Sequence, residues 1–389
     1  MGTPRQEDWN PVSPEILDNQ RAAYDRMREQ CPVAYSEYQG WTLFRHEDIT
    51  RVLHDPDTFS NAVSRHISVP NGMDPPQHTV YRQLIEPYFS EARVAGFEPD
   101  CEAIANGVLE AAGTNDTVEV MEAVARPFAA AAQCAFLGWP NDLGPTLVEW
   151  TLENQQATLE RDRPRLARLA ETFQGYVSHA LNVRRDAGLN GDDATSRLMR
   201  ERVDGRPLSD VEIVSILRNW TVGEIGTLSA AIGIIVHALA HDRALQRQLR
   251  DEPALCADAI EEILRWHGPL VDNRRVATQP ATLGERHIEA GDRLTLNWVA
   301  ANRDPEAFAE PDTIDLSRDQ SGNLLWGAGM HVCPGAPLAR MELRVFLEAL
   351  LARTSRLSPI SNDHPEPAGY PGSGYHRLPA RLDDAPNGN

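Results

Sequence analysis

Along most of this chain, apolar residues recur every three or four positions, the period of a helix that buries one face. This spacing predicts helices over residues 21–29, 80–135, 145–186, 209 to about 240, 253–266 and 337–353. Ser209 followed by Glu212 forms a capping box that opens the fourth of these. Strand-like runs are short: 32–35 and 40–44 flank a turn, and further segments alternate with turns over 271–296. Residues 64–76 form a loop rich in Pro, Asn and Gly, residues 302–323 a coil rich in Asp, Pro and Asn, and residues 369–381 a turn-rich β tail. Neither a repeat nor a linker breaks the pattern. The expectation is one large, mainly α domain with small β-sheets, an α+β arrangement over residues 21–389, preceded by a polar arm over residues 1–20.

Composition narrows the function. With 389 residues, 41% of them hydrophobic, the chain can bury a sizeable core. A net charge of −20 and no basic block argue against nucleic acid and anionic membranes as partners. The most apolar run, 230–240, is short of a membrane span and contains His237. No secretory pattern is visible in Met1-Gly2-Thr3-Pro4-Arg5. The cysteines Cys31, Cys101, Cys134, Cys256 and Cys333 are odd in number, widely spaced and free of CxxC pairs, which fits neither a disulfide framework nor a zinc site. The expectation is a cytoplasmic protein in a reducing compartment.

One cysteine stands in a chemically loaded context. In Trp326-Gly327-Ala328-Gly329-Met330-His331-Val332-Cys333-Pro334-Gly335, a glycine-rich loop delivers Cys333 to the start of a helix. Glycines let the backbone approach a ligand closely. Free N–H groups and positive partial charge at a helix start favour the thiolate. From these residues alone Cys333 is a nucleophile, a metal ligand or a buried structural cysteine.

The stretch resembles the haem-binding loop of the cytochrome P450 family, FxxGxHxCxG. Gly329, His331, Cys333 and Gly335 match, and Trp326 stands where phenylalanine is usual. The resemblance implies the cytochrome P450 fold, haem b as cofactor, Cys333 as the axial iron ligand and His331 beside a haem propionate, with Trp326, Gly327 and Gly335 against the cofactor. Glu262 and Arg265 match the family's ExxR helix and Arg318 its third partner, a structural group. His78 and Arg82, in Asp74-Pro75-Pro76-Gln77-His78-Thr79-Val80-Tyr81-Arg82, resemble a propionate-binding pair. Arg275 matches another such contact, with Arg274 the competing choice.

A departure concerns oxygen activation. The family's long helix carries an acid and an alcohol that move protons, whereas here the sequence is Val222-Gly223-Glu224-Ile225-Gly226-Thr227. One register puts Ile225 and Gly226 in those slots; a slip of one puts Gly226 and Thr227 there. Glu224 and Thr227, three apart, share a face of an α-helix and could form an alternative pair. Otherwise Glu224 is a solvent-facing or capping carboxylate and Thr227 a core residue, with Gly226 simply leaving room.

The pocket expected from this layout is formed by Ile67, Met73, Asn219, Trp220, Gly223, Leu270 and Val271, with Asn219 or Asn273 available to hydrogen-bond a substrate and Trp220 equally suited to the core. The resemblance implies a monooxygenase that takes O2, a small organic substrate, and electrons from ferredoxin and ferredoxin reductase. Arg340 and Arg344 would meet the ferredoxin. A peroxide-dependent enzyme and a haem sensor without turnover are the alternatives.

Overall fold

In the computed structural model, which describes residues 5–114 and 116–385, the capping box forms on both sides. Ser209 Oγ accepts from Glu212 N–H at 3.4 Å, and the Glu212 carboxylate accepts the Ser209 N–H at 2.7 Å. From this start one helical rod runs to His241. It is α-helical over Asp210–Thr221, winds with i→i+5 hydrogen bonds over Val222–Leu228, and is α-helical again over Ser229–His241. Its last third is apolar nearly all round, which is how a helix reads when other helices enclose it. By length and composition the rod is long enough to cross a membrane, but 67% of its most apolar stretch is buried inside the protein. It is the core helix.

Helices Glu91–Ala112, Arg126–Leu137, Gly144–Leu159, Arg163–Asp186 and Ala336–Arg353 enclose this rod in one continuous hydrophobic core. Trp220 belongs to that core, with ring centroids 5.4 Å from Tyr88 and 5.2 Å from Phe89. A five-stranded sheet lies to one side. Val33–Ser36 pairs antiparallel with Gly40–Leu43, which runs parallel to Arg293–Asn297; Asp272–Ala277 follows antiparallel, and Phe59–Ser60 closes the edge. A second sheet joins Thr354–Pro359, Pro379–Asp384 and Asp116–Glu119.

The strands and helices follow the sequence pattern in most places. Asp116–Glu119 interrupts the helical run expected over 80–135, because its pairing with the distant strand Pro379–Asp384 overrides local period. The hairpin Arg202–Val203 with Arg206–Pro207 was also not anticipated, although its Asp204-Gly205 turn, both residues at positive φ, is a strong hairpin signal. The polar arm expected over residues 1–20 packs from Arg5 onward: Trp9 is buried against Tyr24 and Phe44, and Arg5 Nη1 donates to Asp292 at 2.7 Å.

Beneath the sheet and the cysteine loop lies a buried ion-pair knot. Arg265 Nε and Nη2 fork onto Glu262 at 2.8 and 2.9 Å, and both residues are fully buried. Arg318 Nε, Gln320 Nε2 and the Asp315 N–H also donate to the Glu262 carboxylate, at 2.9, 2.9 and 3.0 Å. Arg265 holds the backbone as well, donating to Asn302 O at 2.7 Å and Pro311 O at 2.9 Å. Burial pushes the Glu262 carboxyl up, but the hydrogen bonds, led by Arg265, outweigh it and hold the group below the ordinary carboxylate range. A depressed carboxyl contributes stability above its unfolded pKa and loses it as pH falls through the folded one.

Glu262→Ala leaves a buried guanidinium unpaired and should cost about 3–5 kcal/mol, read as a lower denaturant midpoint at neutral pH. A midpoint equal to that of the unaltered protein overturns the assignment of this knot as the anchor of the coil.

Candidate functional site

The coil held by Glu262 leads directly into the cysteine loop. Gly329, at φ +67, is forced: a Cβ there would lie 2.5 Å from Leu53 O. The Cys333 N–H closes the loop on Trp326 O at 2.8 Å. Gly327, at φ +72, turns the chain just after that tryptophan. Trp326 is pinned from behind. Its Nε1 donates to both Glu261 oxygens at 3.0 Å, Arg340 Nε donates to the same carboxylate at 2.6 Å, and the guanidinium lies 4.9 Å from the Trp326 ring centroid. The tryptophan thus adds an N–H anchor that a phenylalanine would lack.

Cys333 Sγ sits before helix Ala336–Arg353 and accepts backbone N–H groups from Gly335 and Ala336. A helix start by itself favours the thiolate. The balance falls the other way: burial pushes the thiol up by more than the two N–H groups and Arg82 pull it down. A thiol so placed is a poor free nucleophile, and it becomes a thiolate when a cation binds it.

Two imidazole nitrogens nearby have no partner among the described residues. The His78 and His331 rings lie 4.1 Å apart, and Nε2 of each is buried without a hydrogen bond among the described residues. His331 is pushed down to about 3 by burial first, then by His78 and Arg275. Arg275 is buried and donates only to the Arg274 carbonyl, at 2.8 Å. Burial lowers it to about 10, and Asp74 opposes this at a distance. The strand turns the two neighbours apart: Arg275 lies near enough to His331 to lower it, while Arg274 donates to the Tyr370 hydroxyl at 3.3 Å. Arg82 is spoken for, donating to Glu86 at 2.8 Å and to Val332 O at 2.6 Å, so it braces the loop.

The central helix passes this group with its i→i+5 segment. In such turns residues three apart no longer keep the side-by-side spacing of an α-helix. The pairing of Glu224 with Thr227 expected from α-helical spacing is therefore corrected: no hydrogen bond joins them. Glu224 turns to helix Ala336–Arg353 and hydrogen-bonds Glu342. Glu342 Oε1 and Oε2 and Glu224 Oε1 are buried and meet no other donor among the described residues. Two touching carboxyls can form a hydrogen bond only if one holds a proton. Burial raises both, Glu224 up to about 7. The Thr227 hydroxyl, half-buried, makes no hydrogen bond among the described residues. Val222 is 39% exposed midway along the most enclosed helix, and Gly223 is exposed beside it, marking an open cleft.

The other pocket candidates divide. Ile67, Leu270 and Val332 are exposed apolar side chains on segments flanking the cleft, at 42%, 37% and 38%. Met73 and Val271 are buried in the core. Asn219 Nδ2 donates to Val69 O at 3.0 Å and ties the 64–76 loop to the central helix, so its amide is already engaged. Leu270 bridges to Gly372, which brings the C-terminal turn to the site. A cavity of about 300 Å³ opens beside that turn, lined by Leu152, Gln155, Leu159, Arg165 and Tyr370 among others. Its helix, Gly144–Leu159, lies within the helical run expected over 145–186, but its place in a cavity wall was not anticipated. Periodicity identifies a helix but not which neighbour it roofs.

These residues fit a haem. Cys333 offers a soft sulfur ligand in a backbone cradle. Two orphaned imidazole nitrogens and an unpaired buried guanidinium suit a pair of carboxylates. Exposed apolar side chains suit a flat apolar ring.

Comparison with known proteins agrees. The family model "Cytochrome P450" matches residues 141–369. Cyclomarin C epoxidase from Salinispora arenicola is 31% identical over 348 residues, 85% of this chain and 88% of that protein. Erythromycin C-12 hydroxylase from Saccharopolyspora erythraea is 31% identical, covering 87% of each. The structure of a mutant of P450 EryK in complex with erythromycin B superposes with a TM-score of 0.87 at 28% identity, covering 96% of this chain and 99% of that one.

Two outcomes check this geometry. Gly329→Ala should strain the loop by about 1–3 kcal/mol, read as a lower melting temperature; an unchanged one overturns the close approach to Leu53. Carboxyls with raised pKa values contribute stability that is lost as pH rises through the folded value. Stability should accordingly decline as pH rises from the ordinary carboxylate range, with the Glu224 share of the loss complete near 7, where Glu224 ionises. Glu224→Gln, whose amide can donate to Glu342, should flatten this decline in urea denaturation; an identical pH profile overturns the contact.

Proposed function

The chain belongs to the cytochrome P450 family and is a monooxygenase of that family; on that premise we propose that it hydroxylates or oxidatively dealkylates a small, largely apolar organic substrate. The carrying observation is the sulfur of Cys333, cradled by two N–H groups beside a cluster of unpaired imidazole and guanidinium groups. The haem domain takes residues 21–389.

Cys333 would ligate the iron, and His78, His331 and Arg275 would hold the propionates. Trp326, with Gly327 and Gly335, packs against the cofactor, and Arg82 keeps the loop in place through Val332 O. When bound, haem b supplies the redox and oxygen chemistry, and thiolate donation favours O–O cleavage. The protein's part is to exclude water and place protons. Val222, Leu270 and Ile67 supply apolar walls. Thr227, half-buried and with a hydroxyl that makes no hydrogen bond among the described residues, would hold the proton that the reaction consumes at this face. Glu224 shares its proton with Glu342 behind the same turn.

Electrons come from NAD(P)H through ferredoxin reductase and ferredoxin. Arg340, half exposed, and Arg344, ion-paired to Glu98 and Glu348, lie on the helix that follows Cys333 and present the docking charge. Five free cysteines suit a cytoplasmic location. A peroxide-dependent reaction is the second reading. It is favoured by the buried Ile225, by Gly226, and by a Glu224 carboxyl turned away from Thr227.

The reduced carbon-monoxide complex should show the red-shifted Soret band of thiolate ligation, and Cys333→Ser should lose it. Thr227→Ala should lower the coupling of NAD(P)H consumption to product by on the order of tenfold or more. Coupling unchanged in Thr227→Ala, with product formed from peroxide alone, overturns the proton role and selects the second reading.

A further inference from the structure

The core helix ends in a second polar cluster, built from none of the residues assigned to the haem. It gathers Arg21 from helix Gln20–Gln30, His237 from Ser229–His241, His267 just after helix Cys256–Trp266, and Tyr375 from strand Tyr375–Arg377. The His237 ring stacks on Tyr375 with centroids 4.6 Å apart, and His267 meets Tyr375 edge-on at 6.0 Å. The Arg21 guanidinium lies over the Trp266 ring at 4.1 Å, near enough to His237 and His267 to lower both. All four side chains are half-buried, so each keeps a face open to solvent. None of them makes a hydrogen bond among the described residues, and Nδ1 of His237 is buried in that state. Together they offer guanidinium N–H groups, two imidazole N–H groups and a hydroxyl. No carboxylate among the described residues answers them. Asp25 and Asp312, the acids that act on Arg21, are both tied to Arg303. Burial lowers Arg21, with Arg303 adding to it, and is the first cause that pushes His237 down to about 4 and His267 to about 3. The cluster is rich in donors, short of acceptors and electropositive, in a chain of net charge −20. Water can satisfy the donors but leaves the guanidinium charge uncompensated in a partly desolvated place.

We propose that this cluster is a binding site for a free tetrahedral oxyanion of the phosphate or sulfate class, held by Arg21, His237, His267 and Tyr375. Donors arriving from four separate elements suit four oxygens at tetrahedral corners better than the two coplanar oxygens of a carboxylate. Arg21 supplies the charge, and its hydrogen bonds to an oxyanion are of the strong, charge-assisted kind. The imidazoles and the Tyr375 hydroxyl supply neutral donors whose desolvation is already complete or nearly so, and such donors gain most from meeting an acceptor. The site lies behind the C-terminal turn: Tyr375 follows Gly374 directly, and Gly372 of the same turn bridges to Leu270 beside the cleft. It takes nothing from His78, His331 or Arg275, so it stands whether or not the monooxygenase reading does.

The test is isothermal titration of sodium sulfate, sodium phosphate and sodium acetate into the haem-loaded protein, with ionic strength held constant by sodium chloride. Sulfate and phosphate should each fill one saturable site, about tenfold or more tighter than acetate. Arg21→Gln should weaken sulfate binding by about tenfold or more. Tyr375→Phe keeps the ring stack on His237 and removes only the hydroxyl; it should weaken sulfate by about threefold. That variant reads the same site should Arg21→Gln fail to fold. Arg356→Gln, which removes an exposed arginine on strand Thr354–Pro359, should leave the affinity unchanged. No saturable sulfate binding, or binding that Arg21→Gln and Tyr375→Phe leave intact, overturns the proposal. An equal loss in Arg356→Gln overturns it too, because the ion is then held by overall surface charge. Acetate bound as tightly as sulfate overturns the tetrahedral assignment.

Discussion

The buried carboxylate of Glu262 is the constraint on which the catalytic half of the molecule rests. It takes hydrogen bonds from Arg265, Arg318, Gln320 and a backbone N–H, and Arg265 in turn holds two carbonyls of the coil. A buried ion pair rarely adds much net stability, because desolvation offsets the attraction. Its value here is geometric. Residues 302–323 have few apolar side chains to pack, so the coil has little hydrophobic reason to adopt one path. Five N–H groups meet this carboxylate, three of them from the coil, and these fix its path; the loop carrying Cys333 begins where it ends. A helix-to-coil anchor with less directionality than a guanidinium fork would leave the sulfur less well placed.

The same logic of forced positions separates what was legible in the sequence from what was not. The capping box, the helix after Cys333, the hairpin over 33–43 and the glycine-bearing loop all follow from local signals, because local chemistry decides them. Gly329 is the clearest case, since both its φ and the Leu53 carbonyl exclude a side chain. Strand Asp116–Glu119 escaped because its partner lies some 260 residues away in the chain, at Pro379–Asp384. The choice between Arg274 and Arg275 was open for a similar reason: adjacent strand residues face opposite ways, and only the pairing register says which way is inward.

At the central helix the sequence was read with the wrong period. Glu224 and Thr227 share a face only if the helix stays α-helical. Hydrogen bonds of the i→i+5 type over Val222–Leu228 change that spacing, and Glu224 turns to Glu342. Glycines at 223 and 226 lower the barrier to such a turn, having no Cβ to crowd the widened backbone. Nothing in the spacing of apolar residues announces this, because the segment is too short to shift the helical period of the whole rod.

These two regions together explain why Cys333 is better suited to hold a metal than to attack a substrate. Burial raises the thiol despite the helix start beside it, and no general base contacts the sulfur among the described residues. The nearby histidines are themselves pushed toward the neutral form by burial first, then by Arg82 at His78 and by His78 and Arg275 at His331, and Nε2 of each has no hydrogen-bond partner among the described residues. A cysteine nucleophile needs an imidazole hydrogen-bonded to it; here both imidazoles face each other instead. A cation at the sulfur and two carboxylates at the histidines and Arg275 satisfy all of these groups at once. The uncompensated charges and orphaned nitrogens at this site are therefore complementary to a single ligand, one that is cationic at its centre and anionic at its edge.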